Sequence, residues 1–172
     1  MKPRLPELYS VWVEAKNTRV YGIDDDHEGS LWFTGSLNLL HRYWPANGDI
    51  ETQEIPEKHG GSQCLCAGDK VYVLPQTNEK ITVCDVAEGR VYQVDKPFPE
   101  ANLWYGHSDK ERNVLYLPER ARHCLVVWDV ASDTSQTLTY PGVGELPSIR
   151  TVGWPERLEV FSVPSGDGGW GH

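Results

Sequence analysis

Residues 24–29 read Asp24-Asp25-Asp26-His27-Glu28-Gly29. Carboxylates at alternating positions ahead of a glycine resemble the start of a calcium loop, because a hard cation gathers oxygen ligands from every second residue. The twelfth place, where such a loop needs a bidentate acid, holds Gly35. The run therefore reads as a solvated turn in which aspartate tolerates unusual backbone angles and Gly29 supplies the bend. Sulfur is the second group with chemistry in it. Cys64 and Cys66 fall on one face of an expected strand, since side chains alternate with period two, and with Cys84 they would offer three thiolates to a metal. No CxxC and no nearby histidine pair completes that set, and Cys124 adds no regular spacing, so reduced thiols packed as small hydrophobes are expected instead of a disulfide framework. His41 and His123 lie in or beside expected strands, where a sheet normally satisfies them; His107 begins a polar turn and His172 is terminal. No Ser, His, Asp nucleophile arrangement and no glycine-rich phosphate loop stands out.

The elements that would position these residues follow from composition and period. The 172 residues are 39% apolar, enough for one core, and one domain over 1–172 is expected. Twelve prolines and sixteen glycines spread over the whole length, with no helical stretch between them, point to an all-β chain with many turns. The net charge is −9 and the sixteen basic residues are dispersed, so the electrostatic footprint of a nucleic-acid binder is missing. No run approaches the roughly 20 apolar residues of a membrane span. Lys2 and Arg4 precede prolines and polar residues, not a signal-peptide core, so a soluble, cytoplasmic location is expected.

From Arg19 onward one pattern recurs: strand, turn, aromatic-centred strand, polar turn, strand, tight bend, strand. In the first copy it runs Val20 to Ile23, Leu31 to Thr34, Leu39 to Trp44 and Ile50 to Ile55. The second gives QCLCA after Ser62, then Val71 to Leu74, KITVCDV and Val91 to Val94; the third gives Asn102 to Gly106, Asn113 to Leu117, Cys124 to Val130 and Ser135 to Tyr140. Asp85 and Asp129 hold matching places. A fourth copy supplies SIRTVGW from Ser148 and RLEVFSV from Arg157. Second-strand centres Trp32, Tyr72, Tyr116 and Val160 are 40 to 44 residues apart, the period of propeller blades. The expectation is four-stranded antiparallel blades at about 19–56, 62–97, 101–141 and 147–172, three full and one split or truncated, with 8–15 as a possible closing strand. Trp32, Trp44, Trp104 and Trp128 lie in or at the ends of these strands and are assigned to packing between blades.

The first copy, GIDDDHEGSLWFTGSLNLLHRYWPANGDIETQEIP, resembles a blade of the streptogramin B (virginiamycin B) lyase family. It shares G-I, D-x-x-G-x-L-W-F-T, N-x-L-x-R, P-x-x-G-x-I and I-P. DHEGSLWF is also similar to the propeller repeats of hybrid two-component sensor proteins, whose blades centre on G-x-L-W. The resemblance implies a β-propeller. For the lyases it also implies a histidine before G-I and a glutamate after W-F-T, with magnesium nearby, but Tyr21 and Gly35 stand at those places here. In the third copy Tyr105 precedes Gly106 and Glu119 falls near the glutamate position. One carboxylate without its histidine does not make an acid and base pair.

Propellers bind through loops between second and third strands and between blades. Those loops are 35–38, 76–80, 119–123, 58–61, 97–101 and 142–146, and Arg19, His59, Asn78, Glu119, Arg120, Arg122, Glu145 and Arg150 are the candidate rim residues. The expected function is a non-catalytic binding platform for a protein, peptide or sugar. The alternatives are a metal-dependent enzyme of the lyase or lactonase kind acting on a cyclic ester, and a fragment of a larger sensor propeller. No catalytic residue, no resident metal and no cofactor is assigned, magnesium and calcium being the ions to consider. Nucleic acid and membrane are not expected partners, whereas a homodimer that completes the ring is.

Overall fold

Alternation in the stretch 64–74 sets the pattern. Cys64, Cys66, Val71 and Val73 pack to one side of their sheet, Leu65, Ala67, Tyr72 and Leu74 to the other, and all eight are buried. A sheet apolar on both faces must be covered on both, and neighbouring sheets do so here. The computed structural model describes residues 20, 22–34, 38–56, 63–75, 80–98, 101–103, 105–119 and 124–139, together with the backbone of 148–154 and 157–163.

The first sheet runs β1 (Gly22–Asp25), β2 (Leu31–Thr34), β3 (Leu39–Tyr43) and β4 (Ile50–Glu54) in that order. The second runs β5 (Cys64–Ala67), β6 (Lys70–Val73), β7 (Lys80–Asp85) and β8 (Arg90–Asp95), and the third β9 (His107–Asp109), β10 (Val114–Glu119), β11 (Cys124–Asp129) and β12 (Thr134–Thr139). β13 (Ser148–Trp154) pairs with β14 (Arg157–Val163). All pairings are antiparallel, and no helix occurs among the described residues. Strand β1 touches β5, β5 touches β9, and β9 touches β13, so the first strands lie side by side about a shared centre and the sheets radiate from it as blades. The proposed closing strand 8–15 lies outside the described residues.

Two apolar layers separate the three full blades. Trp32, Leu40 and Ile55 of the first meet Cys64, Cys66, Val71, Val73 and Cys84 of the second. The opposite face of the second offers Leu65, Tyr72, Leu74, Ile81 and Val83 to Leu115, Leu117, Val126 and Trp128 of the third. Tyr72 and Trp128 meet edge to face with ring centroids 5.4 Å apart. Trp32 and Trp128 thus serve packing between blades, as expected from the sequence; Trp104 lies outside the described residues.

The innermost strands depart from the expectation in two places. β1 begins at Gly22 and takes in Asp24 and Asp25, so the acidic run is half strand and half turn. In the third blade the inner strand is His107–Asp109 and not 102–106; Leu103 makes only an isolated bridge to Glu119, and His107 opens a strand, not a turn. The cause is common to both. β1 and β9 carry polar side chains bonded to neighbouring blades at the centre, and so lack the apolar alternation that marks the inner strand β5. His41 also differs from a fully satisfied sheet histidine. Nδ1 is 2.9 Å from Thr52 Oγ1 and the ring stacks on Phe33, yet Nε2 is buried without a partner. Burial holds its pKa below the usual value.

Inner strands approach closely enough to demand glycine. A Cβ on Gly22 would stand 2.5 Å from the Gln63 Cα, and one on Gly106 would stand 2.9 Å from the Tyr116 carbonyl oxygen. Backbone cannot step aside as a side-chain tip can, so Gly22→Ala must push the first two blades apart. The expected cost is about 1–3 kcal/mol, the usual range for overpacking. A lowered denaturant midpoint relative to the parent chain checks it; an unchanged midpoint refutes the close approach.

Candidate functional site

Polar side chains gather at the blade end that carries the β1–β2, β5–β6 and β9–β10 turns, and two carboxylates organise them. Asp24 projects from β1 at the centre. Its Oδ2 accepts the Cys66 backbone N–H at 2.8 Å and the Ser108 hydroxyl at 2.8 Å, while Lys110 Nζ lies 2.9 Å from Oδ1. One carboxylate therefore ties together the inner strands of three blades. Lys110 also reaches Asp25 Oδ1 at 2.5 Å. Burial alone would lower the pKa of this ammonium, but hydrogen bonds and charge from Asp25 and Asp24 hold it above the ordinary lysine value.

Asp26 organises the turn that follows. Its Oδ1 accepts the backbone N–H groups of Glu28 at 3.0 Å and Ser30 at 2.9 Å. Its Oδ2 takes the Ser30 hydroxyl, the Trp32 indole N–H at 2.8 Å and an Arg42 N–H at 2.9 Å. Gly29 completes the turn at φ 81°, where a side chain would be strained. Arg42 is held on all sides: Nε donates to Ser30 Oγ at 2.7 Å, a terminal nitrogen meets Glu28 Oε2 at 2.5 Å, and the guanidinium carbon lies 5.1 Å and 4.6 Å from the ring centroids of Trp32 and Trp44. Trp44 is half-buried and serves this stack. Burial raises the Asp26 pKa, but the bonds from Ser30 and Trp32 and the Arg42 charge outweigh it and bring it to about 2.

Beside this network a cleft of about 210 Å³ opens between the first two blades. Its walls include Asp26, Glu28 and Arg42 on one side and Asp69, Lys70 and Val86 on the other. Lys70 Nζ lies 3.9 Å from Asp85 Oδ2. Polar groups of both signs line the cleft, with Val71, Val86 and Ala87 as its apolar part. The thiols do not add a nucleophile. Burial, with the Asp24 charge second, pushes Cys64 up to about 12 and raises Cys66, and burial pushes Cys84 up to about 11. All four cysteines are buried and none is in a disulfide; Cys64 donates to the Trp32 carbonyl at 3.2 Å and Cys84 to Gln53 Oε1 at 3.3 Å. Cys64, Cys66 and Cys84 share one side of the second blade as their spacing implies, but as protonated members of an apolar layer.

Among the expected rim residues, Arg19, His59, Asn78, Arg120, Arg122 and Glu145 lie outside the described residues, and Arg150 is placed by its backbone in β13. Tyr21 and Gly35 lie outside as well. Glu119 ends β10 wholly buried, and its Oε1 accepts the Asn102 backbone N–H at 2.9 Å. Sequence reasoning missed Arg42, Lys70 and Lys110. Arg42 was visible as the R of N-x-L-x-R; nothing in the linear order marked Lys110 as a partner of Asp24, 86 positions earlier.

No family profile and no curated protein matches the chain by sequence. Solved structures share its fold. A catalytically inactive virginiamycin B lyase from Staphylococcus aureus with quinupristin superposes at a TM-score of 0.63 and 17% identity, covering 78% of this chain and 45% of that one. The WD40 repeats of RRP9 give 0.62 at 10% identity, over 79% and 42% of the two chains. The extracellular domain of a putative one component system, BT4673 of B. thetaiotaomicron, gives 0.57 at 13% identity, over 83% and 19%. The chain is thus similar to β-propellers in fold, and it spans about half the length of the lyase.

The Asp26 network implies an acid limit. A carboxyl whose folded pKa lies below its unfolded value adds stability that is complete above the unfolded pKa and is lost as pH falls through the folded one. Stability should therefore decline between about pH 4 and pH 2. Asp26→Asn should cost about 1–3 kcal/mol at neutral pH and flatten that part of the decline. Thermal melts of the two proteins over this range check both; identical profiles would remove Asp26 from its assigned role.

Proposed function

We propose that this chain supplies the blades of a non-catalytic propeller that binds a protein, peptide or sugar. The fate of Glu119 carries the reading. It is the described acid nearest the place where the lyase resemblance asks for glutamate, and it is buried with an oxygen committed to the Asn102 amide. A carboxylate that holds its own backbone is poorly placed to exchange protons with a substrate. Tyr21 and Gly35, in place of the lyase histidine and glutamate, point the same way. Recognition falls to the rim residues Arg19, His59, Asn78, Arg120, Arg122, Glu145 and Arg150, with the charged cleft as a second surface.

The likeness to part of the BT4673 extracellular domain favours one other reading, in which these blades belong to a longer sensor propeller. It keeps binding as the activity and changes only what the binding reports to.

Two measurements test the proposal. Wild-type protein and the Arg120→Ala/Arg122→Ala variant, screened on peptide and glycan arrays, should give ligands held by the first and lost by the second; equal binding by both overturns the rim assignment. Incubation with quinupristin and magnesium should leave the compound intact. Chelator-sensitive consumption would establish the enzyme in place of the platform.

A further inference from the structure

Among the described residues, acids outnumber bases at the blade end that carries the β1–β2 and β7–β8 turns. Each cation there, Arg42, Lys70, Arg90, Lys110 and Arg112, already lies no more than 3.9 Å from a carboxylate. Asp69, Glu111 and Asp129 meet no cation among the described residues. The surplus gives this end a negative potential, in a chain of net charge −9, and such a surface draws in cations and turns anions away. The cleft between the first two blades is a depression in that surface, and its charges do not cancel. Asp26 and Glu28 share Arg42, which Trp32 and Trp44 box in, and Lys70 faces Asp85. Asp69 remains exposed with an unpartnered carboxylate, and Glu28 commits Oε2 to Arg42 while Oε1 stays open. At about 210 Å³ the cleft falls below the roughly 300–1,000 Å³ of a site for a drug-sized ligand. It suits a single side chain.

We propose that this cleft receives a lysine or arginine side chain from a basic protein segment. Such a side chain carries its charge on an aliphatic stem. The stem can lie along Val71, Val86 and Ala87 while the ammonium or guanidinium meets Asp69 and Glu28, the two carboxylates with acceptor capacity to spare. Basic residues on either side of the guest then face the acids that have no partner, Glu111 and Asp129 among them. A phosphate or a carboxylate would meet the same surplus of negative charge and is turned away. The inference rests on the binding role proposed above and gives its second surface a partner; the rim takes no part in it.

Titration of the whole ¹⁵N-labelled chain with hexa-arginine tests the proposal, in about 0.15 M salt so that distant surface charges are screened. Amide shifts should cluster at residues 27–28, 68–71 and 86–87. A peptide of the same length made of citrulline, the uncharged isostere of arginine, should leave them unmoved. Glu28→Gln/Asp69→Asn should weaken binding by about tenfold. Glu54→Gln/Glu111→Gln removes the same charge from exposed positions outside the cleft and should change it by less than about twofold. Circular dichroism confirms that each variant folds. Shifts scattered over the whole end, equal binding of the citrulline peptide, or equal losses in the two double variants would each overturn the inference. Arg120→Ala/Arg122→Ala should hold hexa-arginine as the wild type does, and its loss there would overturn the inference too. A wild type that ignores hexa-arginine but keeps ligands dependent on the rim would remove the cleft and leave the platform standing.

Discussion

A four-stranded sheet with apolar residues on both faces cannot stand alone in water, and most of the structure follows from covering those faces. The second blade shows the constraint without relief. One set of alternating side chains joins Trp32 and Leu40, the other joins Leu115 and Trp128, and the residues on both sides are almost free of solvent. Fully burying a side chain of this size is worth about 1.5–3 kcal/mol, so each apolar layer outweighs any single polar contact. The thiols belong to the same account. Cys64, Cys66 and Cys84 lie buried in the layer between the first two blades, and burial keeps them protonated.

Apolar layers hold blades together without fixing their order or angle, since hydrophobic attraction has little direction. The acidic residues supply direction. Asp24 reaches the Cys66 amide, the Ser108 hydroxyl and Lys110, which only one arrangement of the first three blades brings within reach. Asp26 does the same within the first blade, drawing Ser30, Trp32 and Arg42 onto one carboxylate. This accounts physically for the likeness of the first repeat to lyase and sensor repeats. In D-x-x-G-x-L-W the aspartate receives the turn amides and the indole, and the glycine makes the turn, while the arginine four residues after N closes the network. In this chain the shared residues build the blade.

That distinction explains what could be read from the sequence. Strands β2, β3, β6, β7 and β11 were legible because their faces are buried and alternation is a direct record of burial. Strands β13 and β14 were placed to the residue from the runs SIRTVGW and RLEVFSV. β1 and β9 were misplaced because His107-Ser108-Asp109 and Asp24-Asp25 look like turn residues, and only their pairing with β10 and β2 makes them strand. The site divided similarly. Arg42 lies within the repeat that contains Asp26 and was within reach of a local reading, whereas Lys110 finds Asp24 only after two blades have folded between them. The acidic run resembled a cation loop for want of that information; folded, Asp24 and Asp25 share Lys110 while Asp26 and Glu28 share Arg42.

Among the described residues, the turns at one end of the blades are held by a shared set of polar contacts. Turns β1–β2, β5–β6, β7–β8 and β9–β10 emerge at one end, where aspartates cap them and ion pairs tie them to one another. Connections from β2 to β3 and from blade to blade leave from the other. The order of the blades is fixed at the first end by Asp24 and Lys110, and their faces are sealed between. Loops that connect the strands of such a scaffold can in general vary in length and composition at little cost to it. One scaffold can therefore serve lyases, WD40 proteins and sensors, and resemblance in its repeats speaks for the scaffold before it speaks for any ligand.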